Sequence, residues 1–258
     1  MSVDDRLWRV AARARRDEAE LFRARFLALA PSGFEELDVG NEVELALYVR
    51  VGELARLRRL LPAASASPVE QGWEDAWRGF HRPVEVAGLW LGPPWETPPD
   101  RSRAVVIDPG RAFGTGAHPT TRLCVELLAR ATGRGSVLDV GCGSGVLSIA
   151  AQRLGFAPVV ALDSDPVAVE TARANADVNA VVLDVRLADA LRDPLPPADV
   201  AVANVLLEPV EAILARLDAA EAITSGYLVG ERPAHPGWTH VQTLELDGWA
   251  ADRFHRPA

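Results

Sequence analysis

The run Val137-Leu138-Asp139-Val140, followed at once by Gly141-Cys142-Gly143-Ser144-Gly145, is a short apolar strand ending in a glycine-rich turn. Behind it Leu147, Ala150, Ala151 and Leu154 recur at i, i+3, i+4 and i+7, the period of a helix with one buried face. Strand, glycine loop and helix in that order build the first crevice of a doubly wound α/β sheet, where ligands lie at the carboxyl ends of the strands. Glycine supplies positive φ there and lets the backbone approach a ligand closely.

Working outward, the alternation continues downstream. Residues 159–162 read as a strand. Asp165 as N-cap and Pro166 at the first helical position open a helix to about residue 176. Residues 181–187 are mostly strand, 199–205 another, 209–217 a helix, and 222–229 and 241–246 late strands. Alternating strands and helices predict a parallel sheet covered on both faces, a Rossmann-like α/β fold over residues 105–258.

Upstream the pattern changes. Residues 7–14 read as a strand, 17–30 as a helix and 35–39 as a strand. After Asn41, Val43, Leu45, Leu47 and Val49 alternate with Glu44, Ala46 and Tyr48, as in a half-buried strand. Leu54, Leu57 and Leu61 mark a short helix, and residues 69–72 a last strand. That order predicts a small α+β ferredoxin-like domain over residues 1–72. Residues 73–104 read as a connection: a helix, a short strand and a Pro-rich loop, with Trp73, Trp77, Trp90 and Trp95 as packing residues.

The chemistry gathers at three motifs. The first is the glycine loop. An acid about 20 residues beyond Gly141, at the end of the next strand, suits both ribose hydroxyls of a nucleoside, and Asp163 stands there. A dinucleotide loop carries a third glycine where Val146 stands here. Asp139, two residues before the loop, repels a pyrophosphate but suits the ammonium of a methionine moiety. The spacing therefore favours S-adenosylmethionine over a nicotinamide dinucleotide. The second motif runs from Asp108 to Thr121, shaped by Gly110, Gly114 and Gly116 and followed by helical Leu123, Leu127, Leu128 and Ala131. Thr120 and Thr121 fall near that helix N-terminus, where hydroxyls and free amides hold carboxylates. Phe113 is placed to cover an adenine or the methyl group, and His118 is read as structural. The third motif is Ala203-Asn204-Val205-Leu206-Leu207-Glu208-Pro209, which puts polar Asn204 at a strand end.

The bulk composition excludes other classes. The 258 residues are 48% hydrophobic and 24% charged, with formal net charge −9. Such an acidic chain is not expected to bind nucleic acid directly. The basic run Arg13–Arg16 precedes Asp17, Glu18 and Glu20 and reads as a solvated turn and helix face. No apolar run reaches ~18 residues, and residues 1–10 lack the apolar segment of a secretory signal. Two cysteines make neither a disulfide framework nor a metal set, and the histidines lack ligand spacing, so no metal is expected. A monomer resident in the cytoplasm is the default expectation.

Together the motifs resemble one family, the bacterial ribosomal protein L11 methyltransferases (PrmA). Its DPGxAFGTGxHPTT run is matched over residues 108–121, its DxGCGSG loop over 139–145, and its DxDP as Asp163-Ser164-Asp165-Pro166, with Asn175 and Asn179 in the following helix. Its Asn-Ile-Leu is present as Asn204-Val205-Leu206. Residues 225–228 and 73–77 carry weaker likeness. The chain departs from the family in lacking a Pro-Gly-Gly after Leu217. The resemblance implies a class I methyltransferase that N-methylates lysine side chains, the N-terminal amine, or both, of ribosomal protein L11. The alternative is the same chemistry on another protein's lysine or on a small molecule. It also implies that Thr121, Gly141, Gly143, Asp139, Asp163 and Asn204 contact S-adenosylmethionine. Phe113 and Gly114 would lie beside the methyl donor or the incoming amine, and Asn204 and Phe113 would be catalytic. The N-terminal domain would recognise the substrate protein.

Overall fold

The computed structural model describes residues 7–29, 34–69, 82–108 and 116–257. The chain divides into two compact units, Met1–Phe80 and His81–Ala258.

The first unit follows the predicted order: β1 (Leu7–Arg15), α1 (Ala19–Leu29), β2 (Glu35–Val39), β3 (Glu42–Arg50), α2 (Leu54–Leu60) and β4 (Ser65–Pro68). Its antiparallel sheet has the order β2-β3-β1-β4. The alternation in β3 sets the core. Val43, Leu45 and Leu47 pack with Val10 and Ala12 of β1 against Phe26 of α1 and Leu54 and Leu57 of α2. The opposite face carries Arg9, which bonds Glu35 at 2.9 Å and Glu44 at 2.8 Å. Arg13 lies in β1, not in a turn or helix, and bonds Glu44 at 2.7 Å. The strand that pairs here lies before the expected 69–72, of which residues 70–72 fall outside the described residues. It is Ser65–Pro68, held by backbone pairing of Ser65 and Pro68 with Ala11 and Trp8. A polar edge strand leaves no apolar signature, and Pro68 ends it where no further donor is needed. Residues 70–81, with Trp73 and Trp77, lie outside the described residues.

In the second unit β5 (Val84–Val86), β6 (Leu89–Gly92) and β7 (Ala104–Val106) form a three-stranded sheet, so the connection holds two strands where one was expected. Then follow α3 (Pro119–Ala129), β8 (Val137–Val140), α4 (Val146–Arg153), β9 (Val159–Asp163), α5 (Pro166–Val178), β10 (Asp184–Leu187), β11 (Ala198–Asn204), α6 (Leu207–Arg216), β12 (Ala219–Leu228), β13 (Thr239–Leu246) and β14 (Trp249–His255). The seven-stranded sheet has the order β10-β9-β8-β11-β12-β14-β13. Strands β8 to β12 are parallel, and β14 runs antiparallel to both its neighbours. The sheet is thus mostly, not wholly, parallel. Of the predicted strand 181–187, only 184–187 pairs. The backbone of Val182 instead exchanges hydrogen bonds with the Gln152 side chain at 2.8 and 3.2 Å.

Both sheet faces are covered. Val137, Val159, Val200, Val202 and Ile223 pack under α3 and α4, while Leu138, Val140, Ala201 and Ala203 pack under α6. By strand alternation Asp139 and Asn204 share the α3–α4 face with Val137 and Val202.

Candidate active site

The site starts from the glycine loop. Gly141, Gly143 and Gly145 have φ of 72°, 53° and 79°, a region that side chains disfavour. The amides of Gly141 and Cys142 donate to the Leu162 carbonyl at 2.8 and 2.9 Å, which ties the loop to β9. At the end of β9, Asp163 accepts from the Gly143 amide and the Asp165 amide, each at 2.9 Å. Asp165 caps α5 through the Val167 amide. One carboxylate therefore fixes the loop from the neighbouring strand and keeps lone pairs for further donors.

Asp139 lies beneath the loop, only 1% exposed. Its Oδ2 accepts from Ser148 of α4 at 2.5 Å, while Oδ1 has no partner among the described residues. Burial pushes its pKa up to about 7. A buried carboxylate oxygen left without a donor is costly unless a ligand supplies one. Thr121, wholly buried in the first turn of α3, likewise has a hydroxyl with no partner among the described residues. An ammonium and a carboxylate on one small molecule would satisfy both groups, so the residues fit the methionine end of S-adenosylmethionine.

The second motif enters α3 through His118, which is the helix N-cap. Its Nδ1 accepts from the Thr120 amide at 3.3 Å and lies 2.8 Å from Thr120 Oγ1. Pro119 follows at the first helical position, where its missing N–H costs nothing. The same Thr120 hydroxyl receives the Asn204 side-chain amide from the end of β11 at 3.1 Å. Upstream, two asparagines one turn apart, Asn175 on α5 and Asn179 at its C-cap, hold the approach to this motif. Asn179 bonds both backbone groups of Val106 at 2.7 and 2.8 Å, as a paired strand would. Asn175 spans from the Asp108 amide to the Ser144 carbonyl of the glycine loop. Phe113 and Gly114 lie outside the described residues.

The third motif packs on the first. A Cβ on Gly141 would stand 2.6 Å from Val205 Cγ1. A Cβ on Gly226 of β12 would stand 2.1 Å from the Val205 carbonyl oxygen, and Gly226 has a φ of 106°. Gly226→Ala is therefore expected to destabilise the chain by about 3 kcal/mol, since both backbone strain and a backbone clash act there. Urea unfolding of the two proteins checks this, and an unchanged midpoint would contradict it.

Asp163 and Asn204 thus end β9 and β11, and Gly141 directly follows β8 between them, at the carboxyl edge of three neighbouring strands. Asp139, Thr121 and Gly143 converge on the same edge. Sequence reasoning misses Ser148, the bridging role of Asn175 and Asn179, and the close packing at Gly226, which it holds only as part of the weaker likeness over 225–228. Their signal was polar or glycine residues at positions whose spacing marks a buried face. Burial pushes the Cys142 thiol up, which leaves it an inert packing group.

Counted from β8, the sheet order is 3-2-1-4-5-7-6 with the last strand antiparallel. That topology with a glycine loop and an acid after the second strand defines a class I, Rossmann-like methyltransferase, which uses S-adenosylmethionine. The chain belongs to the ribosomal protein L11 methyltransferase (PrmA) family, which matches residues 50–255. A ribosomal protein L11 methyltransferase of Exiguobacterium is 37% identical over 222 residues, 77% of this chain and 71% of that protein. The one of Symbiobacterium thermophilum is 41% identical over 203 residues, 73% of this chain and 67% of that protein. The one of Dechloromonas aromatica is 46% identical over 172 residues, 65% of this chain and 57% of that protein. The crystal structure of a ribosomal protein L11 methylase from Lactobacillus delbrueckii superposes with a TM-score of 0.59 at 29% identity, covering 66% of this chain and 95% of that one.

Proposed function

We propose that the chain transfers methyl groups to amino groups of ribosomal protein L11, on lysine side chains, the N-terminal amine, or both. The observation that carries this reading is the convergence of the three motifs on one sheet edge, in a chain whose family match runs from residue 50 to 255. The named substrate of its relatives supports the acceptor. In this reading residues 1–72 recognise the substrate protein, 73–104 connect, and 105–258 hold the cofactor. The enzyme acts as a cytoplasmic monomer without direct contact to nucleic acid. Its formal charge of −9 supports the last point, and among the described residues no helix is long and apolar enough to cross a membrane.

Each residue has a role. Asp163 accepts the ribose hydroxyls, Asp139 the ammonium, and Thr121 donates to the carboxylate. Gly141 and Gly143 keep the loop backbone close to the nucleoside. S-adenosylmethionine supplies a methyl group already activated on a sulfonium. The protein's work is then alignment of the acceptor amine, which carries much of the rate. A lysine ammonium, with a free pKa of ~10.4, must first lose a proton. An apolar slot favours the neutral amine. Asn204 Oδ1 accepts an amine N–H and points the lone pair, and the family resemblance implies that Phe113 and Gly114 would lie beside the methyl donor or the incoming amine. Purified chain given unmethylated L11 and free lysine together is expected to methylate L11 alone. Equal labelling of free lysine would overturn the substrate assignment.

Asp139 adds a pH dependence. Its pKa in the folded chain, about 7, stands above the unfolded value of ~3.9. Its contribution to the stability of the unliganded protein is therefore fully present below about pH 4 and is lost as the pH rises through 7. Ligand affinity runs the other way, because an ammonium beside the carboxylate lowers its pKa. Cofactor affinity is expected to fall by up to about tenfold per pH unit as the pH drops below 7, with proton uptake preventing the ion pair. Asp139→Asn should flatten that slope. Calorimetry from pH 5.5 to 8 checks this, and a wild-type slope in the variant would remove Asp139 from the ammonium site.

A further inference from the structure

We propose that His118 and Thr120 form a relay that fixes the direction of the Asn204 amide, so that its carbonyl oxygen faces the acceptor amine. Both would then be positioning residues for methyl transfer. The inference rests on the role given to Asn204 above and adds what makes that role possible.

An asparagine amide has two ends of nearly equal shape and opposite hydrogen-bonding sense. If the NH2 end faced the substrate, it could not accept an amine N–H. Something must therefore set which end points outward. Among the described residues, the half-buried Asn204 has a side-chain hydrogen bond at the end of β11 that bears on this, 3.1 Å to Thr120 Oγ1. Thr120 is itself 1% exposed, so its single hydroxyl proton cannot be shared with bulk water.

Proton counting then settles the direction. His118 Nδ1 caps α3 by accepting from the Thr120 amide, so it carries a lone pair and no proton. The same lone pair lies 2.8 Å from the Thr120 hydroxyl, which donates to it. Having spent its proton there, Thr120 Oγ1 can only accept from Asn204, and the group that faces it must be the NH2. The carbonyl oxygen is left on the other side. With the opposite tautomer, Nδ1–H would donate to Thr120 Oγ1, leave the buried Thr120 amide without its cap acceptor, and free the hydroxyl proton for the Asn204 carbonyl, which is why the tautomer decides the relay. Trp249 holds the imidazole plane from β14, edge to face at 5.0 Å between ring centroids. Burial also pulls the His118 pKa down, which favours the neutral ring the relay needs.

The test combines a tautomer measurement with a mutant cycle, both on the full chain. Nitrogen NMR of the histidine rings is expected to show His118 protonated on Nε2 alone. Thr120→Val, which keeps the shape and removes the hydroxyl, should lower kcat on L11 on the order of 10–100-fold while cofactor affinity and Tm stay near wild type. Thr120→Ser should restore most of the rate. In an Asn204→Ala background, Thr120→Val should cost nothing further. An Nδ1-protonated His118 overturns the relay. So does a Thr120→Val penalty of the same size in both backgrounds, which would mark a scaffold effect. Full turnover by Asn204→Ala would instead remove the catalytic role of Asn204 itself, and the tautomer would still decide whether the relay exists.

Discussion

Asp163→Ala is expected to weaken S-adenosylmethionine binding by about 100-fold. The carboxylate accepts two backbone amides, from Gly143 and Asp165, and in the proposed complex also the ribose hydroxyls. Hydrogen bonds to a charged group contribute roughly 1.5–3 kcal/mol each, and each 1.4 kcal/mol is about tenfold in affinity. Losing the ribose pair alone, at the low end of that range, accounts for the whole effect. Freeing the Gly143 amide adds the cost of reordering the loop on binding. Asp163→Asn, which keeps one acceptor oxygen, should fall between the two. Calorimetric titration with the cofactor and with its demethylated product checks this. Unchanged affinity in the alanine variant would remove Asp163 from the ribose site.

Asn204→Ala should separate binding from turnover. The side chain ends β11 beside the glycine loop, and Thr120 already occupies its NH2 end. Removing it deletes the acceptor that orients the amine and leaves the Asp163 and Asp139 contacts in place. Turnover should fall on the order of 100-fold while cofactor affinity changes only a few-fold. Single-turnover rates alongside cofactor titration separate the two quantities. An equal loss in both would make Asn204 a cofactor ligand alone.

What the sequence disclosed, and what it hid, follows from how each feature is built. The glycine loop, Asp163 and the capped helix at Asp165 depend on local backbone chemistry, so residue type and spacing revealed them. The alternation in β3 was legible because one face is core and the other holds Glu44 and Tyr48. Strand β4 was not legible because Ser65 to Pro68 are held by backbone pairing with β1, which imposes no side-chain pattern. Strand β14 went unread although Asp247-Gly248 carries a hairpin signal, with φ of 50° and 81° at the two turn positions. Within the site, Asn204 was visible as a polar residue at a strand end. Its partner Thr120 is 84 residues away in sequence, and no local rule pairs them. Ser148 and Asn175 were hidden for the same reason, since their value lies in which distant backbone or carboxylate they meet.

The central claim is methyl transfer to amino groups of L11. The purified chain should be incubated with isotopically labelled S-adenosylmethionine and unmethylated L11, and the product mapped by peptide mass analysis. Label on lysine Nζ or on the N-terminal amine is the predicted result. Cofactor binding with no label on any L11 amine would contradict it.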